Sequence, residues 1–178
     1  MTAPRRSALR WAGVAIGAAA LGAGVATWRW RPREADLQAG AILFGQTLPD
    51  AAGRPLALAT FAGRPLVVNF WATWCPPCVE EMPELSELHD QLAPRGLQML
   101  GIGIDQADKI AEFARRRPVS YPLVVAGMGG TELGRRFGNT SGALPFTVLL
   151  DRRGGIAHRI LGRVDIARVR AMAIDLVG

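Results

Sequence analysis

The sequence is poor in cysteine, and its first 33 residues contain no acidic residue. The only two cysteines, Cys75 and Cys78, are too few for a disulfide scaffold. A zinc site with four ligands would also need both histidines, His89 and His158, and these are not spaced for it. We therefore expect no metal site and no cofactor, and the spacing of the two cysteines is the main chemical signal.

Positive charge is in excess only in the amino-terminal segment. The chain has 178 residues and a net charge of +6, and six of its 21 basic residues lie in the first 33 positions. From Glu34 onward, 15 basic residues are balanced by 15 acidic ones. A domain that binds nucleic acid needs surplus positive charge to neutralise phosphates. We therefore expect no nucleic-acid partner.

An uncharged run of 18 residues, Trp11 to Trp28, is flanked by arginines. It is long enough to cross a bilayer as a helix, and tryptophans at its ends suit the lipid headgroup region. We assign residues 1–28 to a retained anchor that contacts membrane lipid, with the rest of the chain facing the periplasm or cell exterior. The alternative is a signal peptide cleaved near Ala26, which would leave a protein secreted to the periplasm.

The residues after this run divide into a linker and one domain. Residues 29–39 are polar, contain proline and lack periodicity, which predicts a linker. The domain is expected at 40–178. Proline and glycine residues between positions 46 and 61 predict a small hairpin at its start.

The first half of the domain shows alternating strand and helix patterns. Residues 66–71 are a short apolar run typical of a strand buried on both faces. Helical spacing follows Cys75, and residues 97–104 predict a second strand. Asp105 is the predicted cap of the next helix. Arg115–Arg117 end that helix, and we favour a solvated helix end over the alternative of a partner site.

The second half adds an antiparallel hairpin and a last helix. Residues 146–151 and 156–161 flank a glycine-containing turn, as in a β-hairpin. Asp165 is placed to cap an amphipathic helix that follows. The predicted fold class is therefore α/β, with a mixed sheet flanked by helices.

The spacing of the two cysteines predicts a redox pair. Cys75 is expected at a helix N-terminus, where the helix dipole favours its thiolate, and Cys78 one turn further in and more buried. Cys75 would then attack a substrate disulfide and Cys78 would resolve the mixed disulfide. Pro76 and Pro77 lack N–H groups that would stabilise the thiolate, which favours a reductase or an exchanger. Half a zinc knuckle is the alternative, and a second cysteine pair is missing.

Three stretches carry a resemblance to a known family. They are Val-Val-Asn-Phe-Trp-Ala-Thr-Trp-Cys-Pro-Pro-Cys (67–78), Glu-Glu-Met-Pro-Glu-Leu (80–85) and Gly-Ala-Leu-Pro-Phe-Thr-Val-Leu-Leu-Asp (142–151). Over about residues 40–178 the chain resembles the TlpA/ResA-like membrane-anchored thiol–disulfide oxidoreductases of the thioredoxin-fold superfamily. The resemblance implies a thioredoxin-like fold, an extracytoplasmic enzyme, protein disulfide substrates and a membrane thiol reductant such as a DsbD/CcdA-like protein. By the same analogy, apocytochrome c cysteines are a candidate substrate, in cytochrome c biogenesis.

The resemblance also implies a substrate-binding edge. Pro145 matches the family's cis-proline, which faces the cysteine pair. Leu144 would offer backbone groups to an extended substrate segment. Trp74 and Pro76 are expected to contact substrate, whereas Trp71 is expected to pack in the core.

Two further residues are candidate modulators of the cysteines. Asn69 occupies the place of a buried aspartate in cytoplasmic thioredoxins. Because asparagine cannot titrate, the proton relay assigned to that aspartate is absent here, and a purely structural role for Asn69 is the alternative. Glu81 matches an acid near the active site of ResA-like members. A carboxylate there can influence cysteine protonation, but we favour the alternative that it is an ordinary acid in the first helical turn, placed by the helix dipole.

A copper chaperone or respiratory oxidase assembly factor is the alternative function. Thiolates are soft ligands that bind Cu(I), and the family includes members linked to copper centres. A methionine or histidine beside the cysteines would favour this alternative, and Met82 is the nearest candidate in the sequence. A peroxidase on the same fold would need a peroxidatic cysteine outside the pair, which the sequence lacks.

Overall fold

The computed structural model describes residues 34–178. The anchor predicted at 1–28, with its hydrophobic helix, lies outside the described residues, as does the first part of the predicted linker. Within residues 34–178, no helix is both long enough and apolar enough to cross a membrane.

The described chain begins with helix α1 (Glu34–Phe44), so residues 34–39 are helical where a linker was predicted. The segment is rich in alanine and leucine, which favour helix, and Ala39 and Leu43 are fully buried on its inner face. Gly40 allows a close approach, because a Cβ at this position would lie 2.3 Å from the carbonyl oxygen of Gly154. The helix is thus part of the folded domain.

Within residues 34–178, seven strands form two sheets. Their bounds are β1 (Thr47–Pro49), β2 (Pro55–Ala57), β3 (Leu66–Trp71), β4 (Gln98–Gly103), β5 (Leu123–Val125), β6 (Phe146–Leu150) and β7 (Ile156–Leu161). β1 and β2 form the predicted small hairpin. The other five form a mixed sheet in the order β5-β4-β3-β6-β7, with β3, β4 and β5 parallel and β6 antiparallel to both of its neighbours. The predicted mixed sheet is confirmed.

Helices cover both faces of the five-stranded sheet. After α1 they are α2 (Pro76–Leu92), α3 (Ala107–Arg116), α4 (Gly129–Arg136) and α5 (Ile166–Val177), with short 3-10 turns at Leu58–Phe61 and Ala93–Arg95. Side chains alternate along β3: Val67 and Trp71 join the core cluster of α2, α3 and α5, whereas Val68 and Phe70 join that of α1 and α4. Two buried layers, one on each face of the sheet, follow from this alternation.

One of the two predicted helix caps is confirmed and the other is wrong. Asp165 caps α5, because its Oδ1 accepts hydrogen bonds from the N–H groups of Ala167 and Arg168 at 3.0 and 3.2 Å. Asp105 does not cap α3, whose N-cap residue is Gln106 and has no side-chain cap bond. The Asp105 carboxylate instead accepts from the backbone N–H of Thr73, at 3.2 Å, and from the Thr73 hydroxyl. Parallel β3 and β4 end at the same edge of the sheet, which brings these loops together.

Candidate functional site

The cysteine pair lies where β3 leads into α2, at the carboxyl edge of the central strand. Cys75 is the N-cap residue of α2, and Cys78 lies one turn inside the helix. The two are joined in a disulfide, with their Cα atoms 5.3 Å apart. Cys75 is 5% exposed and Cys78 0% exposed. This difference in exposure is small in the oxidised form. Because Cys75 precedes the first residue of α2 and Cys78 lies within the helix, Cys75 is the cysteine at the rim of the site.

Residues predicted to contact substrate surround this rim. Trp74 is 66% exposed beside Cys75, whereas Trp71 is fully buried and packs against Phe113 with ring centroids 4.7 Å apart. Pro76 is exposed in the first turn of α2. An exposed tryptophan next to a disulfide provides apolar contact area for a partner.

The predicted cis peptide bond between Leu144 and Pro145 is present. Phe146 pairs with Phe70 in adjacent antiparallel strands, so Pro145 lies at the level of Trp71, at the edge of the sheet that carries the cysteines. The carbonyl oxygen of Pro145 accepts a hydrogen bond from the N–H of Gly162, at 2.9 Å. The chain segment before β6 is thereby held at this edge.

A buried polar cluster lies beneath the cysteine pair. The side-chain amide of Asn69 donates to Oε1 of Glu81 at 2.8 Å and to the hydroxyl oxygen of Thr147 at 3.0 Å. Oε2 of Glu81 accepts from the backbone N–H of Val164 at 2.9 Å. All three side chains are buried on the α2 face of the sheet. The cluster therefore connects β3, β6, the active-site helix and the loop before α5.

The interpretation of Glu81 as a first-turn acid is wrong. It lies a full turn beyond the start of α2 and is 0% exposed, so its carboxylate faces the core rather than solvent. Burial raises the pKa of Glu81 above its usual value, and hydrogen bonds from Val164 and Asn69 oppose that rise. Because it follows Cys78 by three residues, it lies on the cysteine side of the helix.

Met82, the candidate thioether ligand for copper, belongs to the same buried cluster as the two cysteines and is 1% exposed. Among residues 34–178, no group of three or more histidine, cysteine, aspartate or glutamate side chains is arranged to hold a metal ion.

The geometry is that of a reversible disulfide at a helix N-terminus, beside an exposed tryptophan and a cis-proline edge. A family model described as Redoxin matches residues 37–172. The chain belongs to the redoxin family. The TlpA/ResA-like resemblance inferred from the sequence is confirmed.

Two curated relatives of this redoxin are ResA thiol-disulfide oxidoreductases. The one from Geobacillus thermodenitrificans (strain NG80-2) is 30% identical over 128 residues, which are 68% of this chain and 71% of the relative. The one from Bacillus thuringiensis subsp. konkukian (strain 97-27) is 29% identical over 114 residues, 64% of each chain. This chain thus spans slightly less than two thirds of the length of the latter relative.

The fold is likewise similar to a solved structure. The thiol:disulfide interchange protein of the thioredoxin family from Chlorobium tepidum TLS superposes with a TM-score of 0.64 at 27% sequence identity, covering 75% of this chain and 93% of that chain. The predicted thioredoxin-like α/β fold is therefore confirmed for the described residues.

Two members of the site were missed by sequence reasoning. Thr147 accepts a hydrogen bond from the side-chain amide of Asn69, 78 residues away, and a threonine inside an apolar strand carries no signal of such a role. Asp105 fixes the segment that precedes the cysteines through Thr73. Its position directly after a strand that runs parallel to β3 is a signal that could have placed it at this edge.

Proposed function

We propose that this redoxin is an extracytoplasmic thiol–disulfide oxidoreductase that acts on protein disulfides and works mainly as a reductase. The observation that carries this proposal is the Cys75–Cys78 disulfide at the amino end of α2, at the edge of the central strand. A disulfide placed there can open and close while the strand and helix stay in place.

In the proposed reaction the reduced protein begins with Cys75 as a thiolate. Its sulfur attacks one sulfur of the substrate disulfide, forming a mixed disulfide and releasing the first substrate thiolate. The thiolate of Cys78 then attacks the Cys75 sulfur, which closes the protein disulfide and releases the second substrate thiolate. Two electrons pass to the substrate, and the two released thiolates take up protons. A membrane thiol reductant, such as a DsbD/CcdA-like protein, restores the two thiols.

The reductase direction is supported by how little the site stabilises a thiolate. A strongly oxidising pair depends on a stabilised reduced form. Pro76 and Pro77, which occupy the first two positions of α2, have no N–H groups to donate. Glu81 lies one turn after Cys78 on the same helix, and its ionised form would disfavour negative charge on the cysteines. Both features disfavour the thiolate and so favour a reducing pair.

We assign substrate contact to Trp74, Pro76, Leu144 and Pro145. Trp74 is exposed and Pro145 lies at the same edge of the sheet. An extended substrate segment would pair with the backbone of Leu144 and pack against the indole ring. Apocytochrome c cysteines are the candidate substrate, because oxidised cysteines must be reduced before haem attachment.

We also propose that residues 1–28 anchor the protein in the cytoplasmic membrane and that the domain faces the periplasm or cell exterior. The 18-residue uncharged run supports this placement, and an oxidising compartment is where a disulfide substrate accumulates. Protease added to intact spheroplasts should therefore digest the domain, and a mature protein that starts near Thr27 would show that the anchor is removed.

A trapping experiment tests the proposed chemistry. In the full-length chain, Cys78→Ser should accumulate mixed disulfides on Cys75, because the resolving thiol is gone. Cys75→Ser is the matched control and should accumulate far fewer adducts. If Cys75→Ser trapped the larger amount, the roles of the two cysteines would be reversed. If neither variant trapped a protein thiol and the wild type reduced no disulfide, the proposed function would be wrong.

A further inference from the structure

An open pocket of about 310 Å³ lies beside the amino end of α2. Its walls come from the segment before the disulfide, from α2, and from α3 with the residue that follows it. The lining residues are Thr73, Val79, Lys109, Glu112, Phe113, Arg116 and Arg117. The volume is at the lower end of the range typical of ligand pockets.

The lining of this pocket is positively charged. It contains three cations and one carboxylate, and Arg116 is paired with that carboxylate, on Glu112, at 2.9 Å. Lys109 and Arg117 have no ion-pair partner within the described part of the chain. The Asp105 carboxylate is not part of this lining; it accepts hydrogen bonds from Thr73 and from the backbone N–H of Gln106, and it forms no ion pair with either cation. Two cations therefore remain available at the pocket.

The pocket adjoins the disulfide along the chain. Thr73 precedes Cys75 by two residues, a span of at most about 7 Å, and Val79 directly follows Cys78. Phe113 packs against Trp71 and provides an apolar wall. A partner segment with its disulfide at Cys75 can therefore continue into the pocket.

We propose that this pocket holds acidic side chains of the protein whose disulfide is exchanged at Cys75, so that it selects partners with an acidic segment beside the reacting cysteine. The inference rests on the proposed function and adds the class of partner. It also changes the interpretation of Arg115–Arg117 as a solvated helix end. Arg116 and Arg117 line the pocket, and Arg115 does not. Cations beside an apolar wall attract carboxylates electrostatically and leave room for the chain that carries them.

The test uses three disulfide-containing peptides that differ only in a pair of residues next to one cysteine. The pair is Glu-Glu in the first peptide, Gln-Gln in the second and Lys-Lys in the third. Each is made with the pair before or after the cysteine, so that either chain direction is covered. Full-length protein is reduced in advance, and the second-order rate constant of peptide reduction is measured in a single turnover. The readout is the ratio of the rate constants for the Glu-Glu and Gln-Gln peptides.

For the wild type we expect a ratio of about three to ten in one of the two placements, with the Lys-Lys peptide slowest. The Lys109→Gln/Arg117→Gln double variant should reduce the ratio to below about two, because both free cations are gone. Salt at about 0.5 M should do the same for the wild type, since the screening length falls to about 4 Å.

Arg95→Gln/Arg168→Gln is the matched control, because it removes the same charge from two exposed arginines outside the pocket. It should keep the wild-type ratio. Equal reduction of all three peptides by the wild type, or a ratio that survives in the Lys109→Gln/Arg117→Gln variant, would overturn the pocket assignment and leave the thiol chemistry intact. If none of the peptides were reduced, the proposed function itself would fail together with this inference.

Glutathione disulfide serves as a second probe. Its carboxylates offer the same charge without a protein segment. If the double variant slowed reduction of glutathione disulfide but left the peptide ratio unchanged, the pocket would serve a small anionic disulfide and the assignment to a protein segment would be wrong. Slowing of the Glu-Glu peptide together with an unchanged glutathione disulfide rate would support it.

Discussion

The amide nitrogen of Asn69 donates a 2.8 Å hydrogen bond to Oε1 of Glu81, which joins the central strand to the active-site helix. The same amide donates to Thr147, and the backbone N–H of Val164 donates to the other carboxylate oxygen. A neutral amide provides the donor that a buried carboxylate requires, whereas an aspartate at position 69 would add a second negative charge. The buried cluster of Asn69, Glu81 and Thr147 thus contains one acidic side chain, and the groups around it are neutral hydrogen-bonding partners.

Replacing Glu81 with glutamine should speed the alkylation of Cys75. A nearby negative charge disfavours a second one, so its removal should raise the labelling rate of the reduced protein near neutral pH by about three- to tenfold. Rates of iodoacetamide labelling, resolved by peptide mass mapping, give the measurement. Glu84→Gln is the control, because Glu84 is on the same helix but pairs with Arg163 at the surface. Equal effects of the two substitutions would contradict a specific role for Glu81.

The free energy of unfolding should depend on pH through Glu81. Because burial raises the pKa of Glu81 in the folded state above its usual value, its contribution to stability is fully present below the unfolded pKa. It is lost as the pH rises through the folded pKa, since the charged form is then buried. Urea unfolding from pH 4.5 upward should show this decline in the wild type and a flatter profile in Glu81→Gln. Identical profiles would mean that Glu81 ionises as it does in the unfolded chain.

Asn69→Asp should destabilise the domain at neutral pH by about 1–3 kcal/mol, because two buried carboxylates would then lie within hydrogen-bonding distance. Stability should recover as the pH falls, when the pair shares a proton. The Asn69→Asp/Glu81→Gln double variant is the control and should regain much of the lost unfolding free energy. A double-mutant cycle measures this recovery as a coupling energy between the two residues. Additive effects of the two substitutions would show that the residues do not interact.

Gly40→Ala should weaken the docking of α1. The new Cβ would meet the backbone of Gly154 at 2.3 Å, and neither backbone segment can yield without moving its element. We expect a loss of about 1–3 kcal/mol in unfolding free energy and faster proteolysis within 34–47. Gly45→Ala is the matched control, because the nearest atom to its Cβ is the carbonyl oxygen of Ala41 at 3.3 Å. Equal stability of the two variants would argue against tight packing of α1.

Features encoded in local patterns were predictable from the sequence. Strand β3 is a continuous apolar run, α2 has helical spacing after the cysteines, and Asp165 directly precedes the helix that it caps. The redox pair was equally predictable from the sequence, because the two cysteines, the end of the strand before them and the start of the helix after them lie within a few residues of one another. In each case, the atoms that interact are neighbours along the chain.

Tertiary structure decided what depends on distant segments. Glu81 is a buried carboxylate rather than a first-turn acid because α2 packs against β3 and the loop at Val164, which is 83 residues away. Asp105 binds Thr73 because parallel strands end at one edge. Lys109 and Arg117 line one pocket with Thr73 and Val79 only because the fold brings α3 to the amino end of α2. The sequence by itself determined the chemistry of the cysteines and the order of elements. Only packing determined which charged groups surround them, because the desolvation and charge of a side chain depend on residues far along the chain.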